Sequence, residues 1–188
     1  MNVVAPTSPD PRVRRTRKAL QDALGELLRE KRFAEISVQD VAERSTVNRA
    51  TFYAHFRDKH DLLASLLKAQ MGGILRGKLP SDAALNRESL TAVAMAVLEF
   101  LGDVHQQCPA SAKDFEDLTD MALQGEIYEL IYGWIGEARP KPYPGHSDDA
   151  VATMISWTLF GAAHRWSQGD RKQPPESVAK AAVALLLP

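Results

Sequence analysis

Apolar side chains recur every three or four residues along almost the whole chain, and no stretch places them at every second position. That is the helical period, so the sequence predicts an all-α protein with no sheet to organise it. Over residues 13–30, Leu20, Ala23, Leu24, Leu27 and Leu28 form one stripe, with arginine and aspartate opposite. A second, short helix opens around Ile36, Val38, Val41 and Ala42. Ser37 is its N-cap, and Asp40 stands three residues on, at the spacing of a capping box. A third short helix covers about 48–55. A fourth starts at Asp58 and carries Leu62, Leu63, Leu66 and Leu67, with Asp58 and Asp61 at its positive end.

Glycine and proline divide the rest of the chain. Gly72, Gly73, Gly77 and Pro80 interrupt the pattern between Met71 and Ser81, marking either the end of the fourth helix or a linker. Longer helical patterns run over about 86–107, 113–138, 147–168 and 175–187, with Pro109 at the first interruption. The string Arg139-Pro140-Lys141-Pro142-Tyr143-Pro144-Gly145 is loop, because each proline lacks an N–H and restricts its predecessor. Gly169 and Pro174-Pro175 separate the last two helices, with Pro175 at a helix start.

Charge adds a division of labour. The formal net charge of the 188 residues is −1, which by itself gives no hint of a nucleic-acid partner. Residues 1–70 nevertheless hold 13 basic against 9 acidic side chains, and residues 71–188 hold 10 against 15. The near-neutral total is a cancellation, and such asymmetry points to two jobs. The single cysteine, Cys108, excludes an intramolecular disulfide and a Cys-rich zinc module, and fits a reducing compartment. No run of 18 apolar residues exists to span a membrane. Residues 1–12 carry Pro6, Pro9 and Pro11 without the apolar core of a signal peptide, and are expected to be a disordered arm on a cytoplasmic protein.

The most informative segment is 37–59. Two short helices meet at a tight turn around Ser45-Thr46, which is the helix-turn-helix arrangement that offers its second helix to the DNA major groove. On that helix Asn48, Arg49, Thr51, Tyr53 and His55 are polar groups able to face DNA, while Val47, Ala50, Phe52 and Phe56 are expected to pack inward. Arginine reads guanine bidentately, asparagine reads adenine, and threonine meets an edge or a thymine methyl. Asn48 and Arg49 are therefore the candidates for sequence readout. Lys59, at the start of the next helix, is a candidate phosphate contact. Arg14, Arg15, Arg17 and Lys18 are candidates for the minor groove or flanking phosphates.

The strings Val38-Gln39-Asp40-Val41-Ala42-Glu43-Arg44 and Val47-Asn48-Arg49-Ala50-Thr51-Phe52-Tyr53-Ala54-His55-Phe56-Arg57-Asp58-Lys59 resemble the TetR family of transcriptional regulators over about residues 13–70. The resemblance implies a helix-turn-helix three-helix domain at 13–58 and an antiparallel helical bundle for ligand binding and dimerisation at 59–188. It implies that Thr51 and Tyr53 contact phosphate or base edges, that His55 and Lys59 contact phosphate, and that Ser37 anchors the first motif helix; Thr46 is counted with these as a DNA-binding candidate. One departure stands at the turn. Many members have Ala-Gly where this chain has Ser45-Thr46, and a β-branched residue resists the positive φ that glycine takes cheaply. Either the turn differs, or Thr46 lies outside the left-handed region.

The acidic half carries enough apolar and aromatic side chains for a bundle core. The resemblance implies a cavity inside it, and His105, Gln124, Tyr128 and Tyr132 are polar groups suited to orient a small-molecule effector there. The helix over 147–168 is apolar nearly all round, and 175–187 is small and apolar, so both need cover on more than one side. The resemblance implies that the pair forms a four-helix homodimer interface, with Trp157, Phe160, Gly161, His164, Ala181 and Leu185 in it. Such a dimer presents two recognition helices to a pseudo-palindromic operator on double-stranded DNA.

Catalytic chemistry is not indicated. His105 and Cys108 stand at i, i+3, but two ligands do not make a zinc site, so no metal and no cofactor is expected. No Gly-rich phosphate loop follows a strand, and no Gly-x-Ser-x-Gly elbow exists. The expected function is a ligand-responsive, DNA-binding repressor. A ligand-independent or partner-controlled DNA-binding factor is the alternative, and a helical small-molecule enzyme a more distant one. The helix from Asp58 to about Met71 joins the two halves and is the natural lever between them.

Overall fold

The structure, a computed structural model, describes residues 10–107 and 116–187, the side chains of 105–107 and 116 excepted. The expectations for residues 1–9, His105 and Cys108 lie outside the described residues. Within them the chain forms eight α-helices and no strand. Two units divide between Leu66 and Leu67, eight residues beyond the boundary the motif implied.

The first unit is built on α1 (Pro11–Glu30), α2 (Val38–Arg44), α3 (Arg49–His55) and the beginning of α4 (Lys59–Lys78). α1 starts inside the expected arm, because Asp10 caps it by accepting the Arg12 N–H at 2.8 Å and Pro11 has no N–H to lose at that position. Leu20, Ala23, Leu24 and Leu27 are its buried stripe. They meet Phe33 and Ile36 from the 3₁₀ turn at Phe33–Glu35, Val41 and Ala42 from α2, Phe52 from α3, Phe56, and Leu62 and Leu63 from α4. Arg44 at the end of α2 grips the Glu30 carboxylate of α1 with both ends of its guanidinium, at 2.7 and 2.8 Å, and reaches Glu26 at 3.3 Å. The guanidinium holds the Glu30 carboxyl below its ordinary range.

α4 does not stop at its glycines. It runs through Gly72, Gly73 and Gly77 and ends at Lys78, just short of Pro80. Glycine weakens a helix by roughly 1 kcal/mol but keeps its N–H, whereas proline removes one and forces the preceding residue out of helical geometry.

The second unit contains α5 (Arg87–Gln107), α6 (Glu116–Glu137), α7 (Asp148–Gln168) and α8 (Pro175–Leu186). α7 is central: it packs on α5, α6 and α8, and α5 packs on α8. α6 and α7 run antiparallel, since Tyr128 bonds Asp149, Gln124 bonds Ser156, and Asp120 pairs with His164. Their shared core holds Leu123, Ile127, Ile131 and Trp134 from α6 with Val151, Ile155 and Leu159 from α7. Asn86 and Ser147 cap α5 and α7 with their side-chain oxygens. Among the described residues no helix is long and apolar enough to cross a membrane.

Candidate nucleic-acid interface

The turn between α2 and α3 is held from both sides. Ser37 caps α2: its hydroxyl accepts the Asp40 N–H at 3.1 Å, and the Asp40 carboxylate accepts the Ser37 N–H at 2.7 Å. Lys31 adds a cation 3.0 Å from the same carboxylate. The Ser37 N–H, the Lys31 ammonium and the Ser37 hydroxyl hold the Asp40 carboxyl down to about 2. Ser37 thus anchors α2 through its own helix. Thr46 adopts φ 55, so a β-branched residue does occupy the left-handed position, and its hydroxyl donates to the Ser45 carbonyl at 2.7 Å.

α3 then divides its residues cleanly. Phe52 is fully buried, and Phe56 just beyond the helix nearly so. Arg49, Ala50, Thr51, Tyr53 and Ala54 are exposed, and His55 is half-buried. Ala50 corrects the expectation that it packs inward. It stands two residues from Phe52, about 200° around the helix, and therefore faces out. A small apolar residue there suits a thymine methyl. Sequence reading missed this position, although the helical period counted from Phe52 contained the signal. Arg49 lies beside Tyr53, its guanidinium 5.7 Å from the ring and one nitrogen 3.4 Å from the phenol oxygen. Tyr53 is 49% exposed and is packed edge-on against Phe52 at 5.4 Å. Arginine and a supported phenol therefore share one outward face.

Two expected contacts are already committed within the unit. Asn48 is the N-cap of α3, not its first reader: its Oδ1 accepts the Ala50 N–H at 2.7 Å. Bidentate adenine recognition needs both that oxygen and the amide nitrogen, so it would cost the cap. Lys59 is bonded within its own unit. Its ammonium donates to the carbonyls of Phe33 at 2.9 Å, Ala34 at 3.2 Å and Ile36 at 2.8 Å, and lies 4.6 Å from the Phe33 ring centre. An ammonium has three N–H donors, and the 3₁₀ turn takes all three. Of the basic residues on α1, Arg14 and Arg15 are exposed, Lys18 pairs with Asp22 at 2.8 Å, and Arg17 turns inward.

This arrangement agrees with known proteins. Residues 21–66 match the model of the bacterial regulatory proteins of the tetR family. The first unit thus carries a DNA-binding domain of the tetR-family type, which supports a DNA-binding transcriptional regulator rather than an enzyme. The fatty acid metabolism regulator protein of Bacillus subtilis (strain 168) is 25% identical over 178 residues, covering 88% of this chain and 91% of that protein. An uncharacterized HTH-type regulator of the same organism, YxbF, is 33% identical over 102 residues, which span 51% of this regulator but only 27% of the relative. The crystal structure of the regulator FadR from Bacillus subtilis in complex with stearoyl-CoA shares the fold, with TM-score 0.58 and 20% identity, covering 90% of this chain and 97% of that one.

Of the residues expected to orient an effector, the three whose side chains are described, Gln124, Tyr128 and Tyr132, do not converge on one enclosed site. The Tyr128 hydroxyl donates to Asp149 at 2.8 Å, which pushes the phenol up to about 12, and its ring stacks on Tyr132 at 5.7 Å. Tyr132 is exposed. Gln124 donates to Ser156 at 3.2 Å. Ile127, Ile131, Trp134 and Ile135 occupy the inner face of α6, which leaves Tyr132 turned outward and Tyr128 half-buried at the edge beside Asp149.

The residues expected at a dimer interface divide differently. On α7, Met154, Trp157 and Gly161 recur at helical spacing on an exposed face, and Ala181 and Leu185 do so on α8. His164 is half-buried, 3.3 Å from Asp120. Phe160 is the correction: it is buried with Ile155, Leu159 and Ala163 on the inner face of α7.

Proposed function

We propose that this regulator binds a pseudo-palindromic operator as a homodimer and represses transcription until a small molecule releases it. One observation carries the reading. α3 is held rigidly from below and leaves Arg49, Thr51 and Tyr53 outward, with Arg49 the single charged reader among them. Arg49 reads guanine edges, Thr51 and Tyr53 contact phosphate or base edges, and His55 lies near the backbone as a phosphate donor. The dimer brings two such helices to half-sites about one turn of DNA apart. It forms through α7 and α8, whose outer faces carry Met154, Trp157, Gly161, Ala181 and Leu185. The protein acts in the cytoplasm, on the operator.

The relative solved with stearoyl-CoA makes a long-chain acyl-CoA the first effector to test. Release requires that ligand to favour a state in which the recognition helices no longer fit. A second reading, control without a small molecule, has one observation on its side: Gln124 and Tyr128 are bonded within the bundle.

The test begins with duplexes selected by the protein from a random pool. Operator affinity should fall with salt at a log–log slope of about −0.9 per phosphate contacted. Arg49→Ala should weaken and relax recognition by about 1–3 kcal/mol. Unchanged affinity and specificity in that variant would remove Arg49 from the readout. Stearoyl-CoA should lower operator affinity. No change with it, or with any other acyl-CoA, would favour the second reading.

A further inference from the structure

Arg17 belongs to the basic run of α1, yet its guanidinium is turned into the first unit. One nitrogen donates to the carbonyl of His55 at 2.8 Å, and the other to the Ser65 hydroxyl at 3.1 Å. The group lies over the Phe56 ring, its central carbon 4.2 Å from the ring centre. Gln21, one turn further along α1, donates to the same Ser65 hydroxyl at 2.9 Å and to the Ser65 carbonyl at 3.1 Å. Three helices, α1, α3 and α4, therefore meet at one polar cluster within the first unit.

What the cluster joins gives it meaning. His55 is the last residue of α3, and its carbonyl is among those without a partner inside the helix. A cation placed there also meets the negative end of the helix. Ser65 stands on α4, which continues unbroken to Lys78, beyond the first unit. A planar guanidinium reaches two acceptors at fixed separation, so Arg17 holds His55 and Ser65 at a set spacing. Stacking on Phe56 removes its remaining freedom.

We propose that the Arg17–Ser65–Gln21 cluster is the joint that sets the recognition helix against α4, with Arg17 a positioning residue for operator binding and not a phosphate contact. The proposal rests on α3 being the recognition helix. A shift of α4 at Ser65 pulls on the guanidinium and so on the end of α3. A movement arriving along α4 thereby changes the angle at which Arg49 and Tyr53 are presented.

The experiment compares Arg17→Gln, Arg17→Lys, Ser65→Ala and the Arg17→Gln/Ser65→Ala pair with wild-type protein. Each is measured well below its own melting temperature, on the selected operator and on unrelated duplex. Arg17→Gln should lose about tenfold or more in operator affinity, from the charged hydrogen bonds removed. Affinity for unrelated duplex should hold, and the salt slope should not change. Arg17→Lys should rescue only part of the loss, because an ammonium cannot span both acceptors. The pair should lose no more than Arg17→Gln alone, as expected of groups acting through one contact. If Arg17→Gln does not fold, Ser65→Ala and Gln21→Ala carry the same comparison at smaller loss.

A salt slope shallower by about 0.9 in Arg17→Gln would place Arg17 on a phosphate and overturn the proposal. Equal losses on operator and unrelated duplex would overturn it too. Should the wild-type protein itself select no duplex, the reading of α3 fails before the joint is tested.

Discussion

The two units treat their surfaces in opposite ways. The first binds its polar side chains to itself: Arg17, Gln21, Arg44, Asn48 and Lys59 all hold backbone or carboxylate partners within it. Among its described large apolar side chains only Tyr53 is notably exposed. The second leaves Met121, Tyr132, Met154, Trp157 and Leu185 outside, from 43% to 81% exposed. A rigid polar unit with few free groups is suited to reading a charged, patterned surface. A bundle with an uncovered apolar face is suited to meeting another apolar face. The uneven charge of the two halves runs along the same line, since a negative bundle is repelled by a duplex and a positive unit is drawn to it.

The sharpest way to break this contrast is to charge the bundle's outer face. If the proposed homodimer forms through these faces, Trp157→Glu with Leu185→Glu should convert it to monomers in sedimentation analysis. Operator affinity should fall by about 100-fold or more, because two linked half-site contacts become one. The substituted positions are exposed, so helix content and folding should persist. A variant that stays dimeric and binds at full strength would take α7 and α8 out of the interface.

A smaller effect separates the two units by their backbone. Each holds a non-glycine residue at positive φ, Thr46 at 55° and Arg171 at 51°. Thr46 gains little in return: its hydroxyl bond to the Ser45 carbonyl is exposed. Thr46→Gly should therefore stabilise the protein by about 1 kcal/mol, as the strain of a β-branched left-handed residue is relieved. Arg171 is different, because its guanidinium donates to the Ser167 carbonyl and lies 5.4 Å from the Trp166 ring. Arg171→Gly should gain less or lose, since those contacts go with the side chain. Denaturant midpoints check both. A loss in Thr46→Gly would mean that the hydroxyl outweighs the strain.

Sequence patterns reached far into the first unit and stopped early in the second. The stripe of α1, the Ser37–Asp40 box and the inward Phe52 come from local rules, and the structure bears them out. Lys59 and Arg17 did not, because what determines them is tertiary. A cation reads the same in sequence whether it faces phosphate or three carbonyls that folding brings together from 23 to 26 residues away. Thr46 was undecidable from propensity, since the chain enforces the turn despite the residue. In the bundle, polar groups lying among apolar ones are the candidates to orient an effector, and local pattern does not say which of them share a site. α6 has apolar residues on more than one side, so periodicity could not say that Tyr132 faces out while Tyr128 stays half-buried. The same ambiguity on α7 put Phe160 on the wrong face.

The smallest effect concerns the anchor of α2, and it is read by pH. Asp40 sits at about 2 in the folded chain, below the ordinary value of 3.8, through the Ser37 N–H and hydroxyl and the Lys31 ammonium. A carboxyl lowered on folding binds its proton more weakly in the native state than in the unfolded one. Its stabilising contribution is therefore complete above about pH 4 and disappears as the pH falls through about 2. Glu30, Glu35 and Asp58 are lowered in the same unit and act in the same direction, so the native pH profile sums all four. Asp40→Asn isolates one share. The amide oxygen can still accept the Ser37 N–H, but the charge facing Lys31 is gone. The stability difference between wild-type and Asp40→Asn protein should be constant from pH 7 to 5 and shrink steadily from pH 4 towards 2. Parallel profiles over that range would show that the carboxylate charge contributes nothing to holding α2 beneath the recognition helix.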